Sequence, residues 1–228
     1  VHLVLILLWK RLLTLQANRL KENGYQEFLA PAKLNLFLHV LHKRADGYHN
    51  IQTIFQLIDL YDNIFIRTNR SGVIRRTSEH TDIQESNDLS IKAALLLKPF
   101  TDSHSGADIF VKKTIPMGGG LGGGSSDAAT TLIALNALWQ CKLTQQELQG
   151  LALKLGADVP FFIFGQNAWA EGVGEKLKRL ELGFDGVFLL IIPPIHISTK
   201  QAFAELKLPL TAHRPPFTFG RLLEKATL

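Results

Sequence analysis

Along AKLNLFLHV, apolar and polar positions alternate: Leu34, Leu36, Leu38 and Val40 fall on one side, and Lys33, Asn35, Phe37 and His39 on the other. A period of two predicts a strand with one face in the core, and the leucine side is expected there. The other side carries a lysine and an asparagine side by side. RADGYHN then supplies turn chemistry at Asp46-Gly47, and IQTIFQLIDLYDNIFIRT reads as two strands bent at Tyr61-Asp62-Asn63. SNDLSIKAALLLK predicts a helix capped near Asn87, and ADIFVKKTIP a strand stopped by Pro116. In SSDAATTLIALNALW, Leu132, Leu135 and Leu138 recur every third residue, predicting an amphipathic helix with Ser125 or Ser126 as N-cap. In TQQELQGLALKLGADVPFF, Thr144 and Glu147 form a capping box, and Gly156 is expected at C′. Asp158 then sits in a turn just before Val159-Pro160. The pattern as a whole is α+β.

The two ends depart from this pattern. VHLVLILLWKRLLTLQ is an apolar run broken at Lys10-Arg11, well short of the roughly 20 apolar residues of a membrane span. Its charges follow the apolar stretch instead of preceding it, unlike a signal peptide. Residues 1–23 are expected to be an extension outside the main domain, jointed at Asn23-Gly24, with a membrane-surface helix as the alternative. Met117 is the single methionine, so the sequence holds no initiator. Near the other end, GVFLLIIPPIHIS predicts a strand opening a second unit, and PPFTFGRLLEKATL starts a helix.

With 228 residues and 46% apolar content, the chain can fill the core of one large domain or two small ones. The net charge of +5 is spread along the chain and suits anionic small molecules. Without a basic stripe interleaved with aromatics, no nucleic-acid partner is expected. The lone Cys141 rules out an internal disulfide framework and fits a reducing cytoplasm. His39 and His42, three apart on a strand, are expected on opposite faces, so no metal site is expected there.

MGGGLGGGSSDAA lies between Pro116 and the predicted helix. Glycines let the backbone approach a ligand closely and turn N–H groups toward it. A helix N-terminus adds free donors and about half a positive charge. Strand, glycine loop and capped helix together make an anion cradle, most naturally for phosphate. The Walker A pattern fails because the loop holds no lysine. G-x-G-x-x-G fits Gly118, Gly120 and Gly123, but NALWQCKL offers no acid about 20 positions on. A ligand-free hinge is a further alternative, disfavoured by the position between a strand and a helix.

PMGGGLGGGSSDAA resembles the P-x-x-x-G-L-[GS]-S-S-A-A phosphate loop of the GHMP small-molecule kinases. With PAKLNLFLHV, RADGYHNIQTIFQ, LGADVPFF and, more weakly, AEGVGE, the form GLGGGSSDAA is similar to one branch, which acts on a cytidine diphosphate-linked methylerythritol. The resemblance runs from about Ala30 to about Phe203. It implies the GHMP kinase two-domain fold. An ATP-binding domain like domain 2 of ribosomal protein S5 would cover 24–168, and a ferredoxin-like domain would begin over 169–228. That second domain is expected to be truncated, because the family's G-x-G-[AS] motif is absent after Gly174. The implied activity is ATP-dependent phosphorylation of the 2-hydroxyl of 4-diphosphocytidyl-2-C-methyl-D-erythritol, in the non-mevalonate isoprenoid route. ATP with Mg²⁺, a cytoplasmic setting, no membrane span and a monomer or weak homodimer go with it. Two alternatives stay open: a truncated, non-catalytic nucleotide-binding remnant, and a kinase of the same superfamily acting on another alcohol, such as homoserine or a mevalonate derivative.

Phosphoryl transfer to an alcohol needs phosphates held in line, charge stabilised in the transition state and an acceptor for the hydroxyl proton. By the resemblance, Asp158 is the general base. Lys33 is its partner, whose charge sits against the carboxylate and polarises the attacking hydroxyl. Asn35 bonds substrate or orients Lys33. The resemblance also implies that Tyr48 stacks on cytosine, His49 hydrogen-bonds the base, Phe203 flanks its other side and Thr199 touches the same pocket. Phe55 lines the methylerythritol end or belongs to the core. The nucleotide side comprises Lys113, Pro116, Met117, Gly118, Gly119, Gly120, Leu121, Gly122, Gly123, Gly124, Ser125 and Ser126. Asp127 suits a helix dipole but repels phosphate, and is expected to face Lys33 or a metal.

Overall fold

The computed structural model describes residues 18–77, 84–181, 186–193, 202–203 and 205–206. Its organising element is a 21-residue strand, β2 (His49–Asn69). The 18-residue β1 (Gln26–Lys43) pairs antiparallel along one edge of β2. The other edge carries β4 (Gly106–Lys112) at one end and β5 (Ala168–Glu171) at the other, both antiparallel. The short β3 (Ile74–Arg76) runs parallel to β4, and β6 (Lys176–Arg179) antiparallel to β5. The helices that build the core are, in chain order, α1 (Leu89–Leu97), α2 (Gly123–Leu138), α3 (Gln145–Leu153) and α4 (Val159–Phe164). Phe55, Ile64 and Ile66 of β2 pack with Leu97, Leu132, Leu135, Leu151 and Phe161 of the helices in one buried cluster. Burying such side chains contributes about 1.5–3 kcal/mol each.

The alternation in β1 is interrupted. Asn35 pairs with Phe55 but Phe37 with Ile54, so Leu36 is an extra residue in the strand. A bulge reverses which side each following residue takes. Lys33, Asn35 and Leu38 therefore line the same cleft, while Phe37 packs behind the sheet on Trp169, ring centroids 5.5 Å apart. The leucines consequently do not share one core side: Leu34 packs against the buried Ala32, Ile115 and Leu121. Leu36 and Leu38 are 40% and 47% exposed, and Lys33 only 4%. A second register shift between Val40 and His42 sets His39 opposite Gln52 and His42 opposite Asn50, so the two histidines share a face instead of being split.

β2 is one strand, not two. Its register against β1 skips Asp59 and Leu60, where Pro31 faces Tyr61 and Ala32 faces Ile58. Pro31 has no N–H to give the ladder, so the irregularity costs little there. α1 is capped near Asn87 as expected, by the adjacent Asp88: its carboxylate accepts the Ser90 N–H at 2.8 Å. β4 ends at Lys112, before Pro116, because the next free N–H groups turn to Asp62. α2 begins at Gly123, with Gly122 as N-cap at φ +74° and no side-chain cap. Ser125 and Ser126 therefore lie inside the first turn and do not cap it.

The capping box of α3 forms as expected, Thr144 accepting from the Glu147 N–H. Gly156 is not its left-handed terminator. The helix ends at Leu153 with Lys154 in right-handed conformation, and Gly156 N–H closes the last turn onto Ala152 O at 3.3 Å. The strand expected in GVFLLIIPPIHIS does not form over 186–193, where no other strand pairs with it among the described residues. A helical stretch over 18–22 leads to Gly24 at φ +80°. The N-terminal apolar run up to residue 17, the C-terminal PPFTFGRLLEKATL and Thr199 lie outside the described residues. Among the described residues, no helix is long and apolar enough to cross a membrane.

Candidate active site

A cleft of about 1530 Å³ opens between the β1–β2 hairpin, the glycine loop and the start of α1. At its centre stand Lys33 and Asp158. The Asp158 side chain precedes α4 without capping it, so its oxygens are free for other partners. Its Oδ2 lies 3.5 Å from Lys33 Nζ, and the side chain is 36% exposed. Lys33 is held from below. Its ammonium donates to Asn35 Oδ1 and stands 5.0 Å from the centroid of the Phe55 ring. Asn35 Nδ2 in turn donates to Thr53 Oγ1 at 2.9 Å, and Thr53 Oγ1 to Phe37 O at 2.6 Å. That chain ties the lysine through Asn35 to Thr53 of β2. Phe55 itself is fully buried, 4.7 Å from the Phe161 ring, and does not line the cleft: it is core, supporting Lys33.

The glycine loop is tied to the same lysine, whose backbone N–H donates to Leu121 O at 2.9 Å. Gly118, Gly120 and Gly122 have φ of +77°, +70° and +74°. Alternating left-handed with ordinary backbone curls N–H groups toward a shared concavity, and the α2 N-terminus adds its dipole. At Gly122 only hydrogen fits, because a Cβ would come 2.8 Å from the Phe162 ring and 3.1 Å from Lys33 Cγ. Pro116, Met117, Gly118, Gly120, Leu121, Gly122, Gly123, Gly124 and Ser125 line the cleft. Gly119 does not line it, and a Cβ there would meet Ile192 and Pro116 at 3.7 Å. Ser126 is fully buried and also absent from the lining, its Oγ without a hydrogen-bond partner among the described residues.

Asp127 pairs with Lys113 and not with Lys33. Its Oδ2 accepts from Lys113 Nζ at 2.7 Å, and the same ammonium donates to Asp62 Oδ2. Burial, with the nearby Asp62 charge, pushes Asp127 up to about 7 against the pull of Lys113. Burial opposes the charge on Lys113, but the two carboxylates hold its pKa above the ordinary lysine value.

At the far end of the cleft, the hairpin turn presents Tyr48, 58% exposed. Asp46 Oδ1 accepts the Tyr48 N–H at 3.1 Å, and Arg44 clamps the Asp46 carboxylate at 2.8 Å. His49 is buried, and its ring lies 5.5 Å from that of Phe203, centroid to centroid. Lys33, Asn35, Tyr48, His49, Lys113, Asp158, Phe203 and most of the glycine loop thus share one cleft. Sequence reasoning missed several of its walls: Leu38, turned inward by the bulge, the Asn87–Ser90 stretch heading α1, and Val173. It also took Asp62 only as part of a bend. A lone acid inside a run of apolar strand residues was the available signal.

A long β-hairpin backed by helices, with a phosphate-type glycine loop feeding a helix, is the architecture of the GHMP kinases, and residues 88–166 match the family described as GHMP kinases N terminal domain. A 4-diphosphocytidyl-2-C-methyl-D-erythritol kinase of Ruthia magnifica subsp. Calyptogena magnifica is 51% identical over 184 residues, covering 81% of this chain and 64% of that protein. The enzyme of that name from Burkholderia cenocepacia (strain HI2424) is 49% identical over 199 residues, covering 87% and 67%. A crystal structure of 4-(cytidine 5'-diphospho)-2C-methyl-D-erythritol kinase superposes with a TM-score of 0.59 at 44% identity, over 68% of this chain and 55% of that one. The chain belongs to the 4-diphosphocytidyl-2-C-methyl-D-erythritol kinase family. It spans about two thirds of the length of these curated relatives, 64% and 67%.

Proposed function

We propose that the chain carries the site for ATP-dependent phosphorylation of the 2-hydroxyl of 4-diphosphocytidyl-2-C-methyl-D-erythritol, giving the 2-phosphate and ADP. The observation that carries this reading is the position of the Lys33–Asp158 pair, which shares one cleft with a glycine cradle and an aromatic end. ATP enters as its Mg²⁺ complex, phosphates in the loop. The hydroxyl oxygen attacks the γ-phosphorus as the bond to the β-phosphate oxygen breaks, and the hydroxyl proton passes to the Asp158 carboxylate. Lys33, fixed by Asn35, lends positive charge beside the attacking oxygen. Tyr48, His49 and Phe203 receive the cytosine; stacking gives affinity and edge hydrogen bonds give discrimination.

The aromatic end favours this substrate over homoserine or a mevalonate derivative, neither of which has a base to stack. Residues 24–168 act as the ATP-binding domain and 169–228 begin a second domain, in a cytoplasmic protein that is a monomer or weak homodimer. The test is ADP release with ATP and Mg²⁺, with and without the cytidyl substrate, beside an Asp158→Asn control. Substrate-dependent release that the control loses by about 10²–10⁴-fold supports the reading. Release indifferent to substrate or to Asp158 contradicts it.

A further inference from the structure

We infer that Asp62 is the positioning residue of the phosphate site, fixing both Lys113 and the entrance of the glycine loop to β2. Asp62 is fully buried. A carboxylate in such a place is costly unless its lone pairs are occupied. Here they are: Oδ1 accepts the N–H groups of Thr114 and, at 2.8 Å, of Ile115, while Oδ2 accepts from Lys113 Nζ. Three consecutive residues leaving β4 are thus bound to one side chain of the strand that also pairs with β1 and β4.

The Thr114 and Ile115 N–H groups, held by Asp62, are not available to a bound anion, so the donors left to the cradle begin further on, in the glycine run. Lys113 is a flexible four-carbon arm with rotatable donors. Held by Asp62 on one side and Asp127 on the other, its ammonium lines the cleft in a single place. A neutral acceptor could serve the two backbone groups, but only a charged one strongly fixes the ammonium. Asp62 does not line the cleft and acts through its partners.

This inference rests on the reading of the loop and Lys113 as the nucleotide site, and its test separates the two. Equilibrium ATP binding, with Mg²⁺, is measured on the full chain for the parent, Asp62→Asn, Asp62→Glu, Lys113→Met and the double of Asp62→Asn with Lys113→Met. Thermal unfolding verifies that each variant folds. Asn keeps an oxygen for the two N–H groups but loses the charge; Glu keeps the charge on a longer arm. Asp62→Asn is expected to weaken ATP binding by about tenfold or more, the scale of a charge-assisted hydrogen bond, with Asp62→Glu recovering part of the loss. In the Lys113→Met background, Asp62→Asn, which keeps the acceptor for the two N–H groups, is expected to cost less than twofold further. Losses that multiply in that double, or Asp62 variants that fold and bind like the parent, overturn the inference, as does failure of both single Asp62 variants to fold. A parent that binds no ATP, or a Lys113→Met chain that binds like the parent, overturns instead the nucleotide-site reading beneath it.

Discussion

Lys33 and Asp158 meet across 3.5 Å, the lysine buried under the sheet edge and the aspartate open to the cleft. Their surroundings differ in a way that separates fold from chemistry. Lys33 is locked by Asn35 and stands over Phe55, whereas the Asp158 side chain caps no helix. Asp158→Asn is therefore expected to fold and to bind both substrates within about twofold of the parent, while kcat falls by about 10²–10⁴-fold. Steady-state kinetics with a thermal unfolding control checks this.

Gly120 and Gly122 allow a paired comparison. Both have positive φ, but a Cβ at Gly120 meets nothing within 4 Å, whereas at Gly122 it strikes Phe162 and Lys33. Gly120→Ala is expected to destabilise by about 1 kcal/mol from backbone strain alone. Gly122→Ala adds overpacking of about 1–3 kcal/mol and displaces Lys33. Equal unfolding midpoints for the two variants would contradict the close approach at Gly122.

Asp127 gives the site a pH dependence. Its folded pKa of about 7 lies above the ordinary 3.8, so the unfolded state loses this proton first and the contribution to stability falls as pH rises between those values. Phosphate charge nearby raises the pKa further, so ATP binding takes up a proton. Affinity is expected to decline as pH rises through 7 toward 8, beyond the trend set by ATP itself. Asp127→Asn is expected to lose that extra slope, as measured by binding titrations at pH 6, 7 and 8.

How much of this was legible depended on the range of the interactions. The glycine loop, the Thr144–Glu147 capping box and the Asp46-Gly47 turn are local, each written within a few residues. Lys33 and Asp158 were legible only through the motifs around them, since 3.5 Å in space corresponds to a long separation in the chain. The side taken by Leu38 was not legible: one extra residue at Leu36 reverses a period-two pattern, and hydropathy does not report a bulge. Asp62 was missed because its partners, Lys113 to Ile115, lie about 50 residues on, beyond any local pattern. Capping failed at Ser125 for a different reason: a left-handed Gly122 already turns the chain into the helix.

Tyr48 tests the other end of the cleft. It is mostly exposed and held through its backbone by Asp46 and Arg44, so removing its ring leaves the turn intact. Tyr48→Ala is expected to raise KM for the cytidyl substrate roughly tenfold, the scale of one lost base–aromatic stack. The KM for ATP should stay within about twofold. Parallel increases in both constants would mean that Tyr48 serves the nucleotide or the fold.

One cleft joins a phosphate cradle to an aromatic end through Lys33 and Asp158. The decisive measurement is to incubate the chain with γ-labelled ATP, Mg²⁺ and 4-diphosphocytidyl-2-C-methyl-D-erythritol and locate the label in the product by NMR. Phosphate is expected on the 2-hydroxyl alone, formed about 10²–10⁴-fold more slowly with Asp158→Asn and absent when homoserine or mevalonate replaces the substrate. Label on another hydroxyl, or equal transfer to an alcohol without a base, would contradict this expectation.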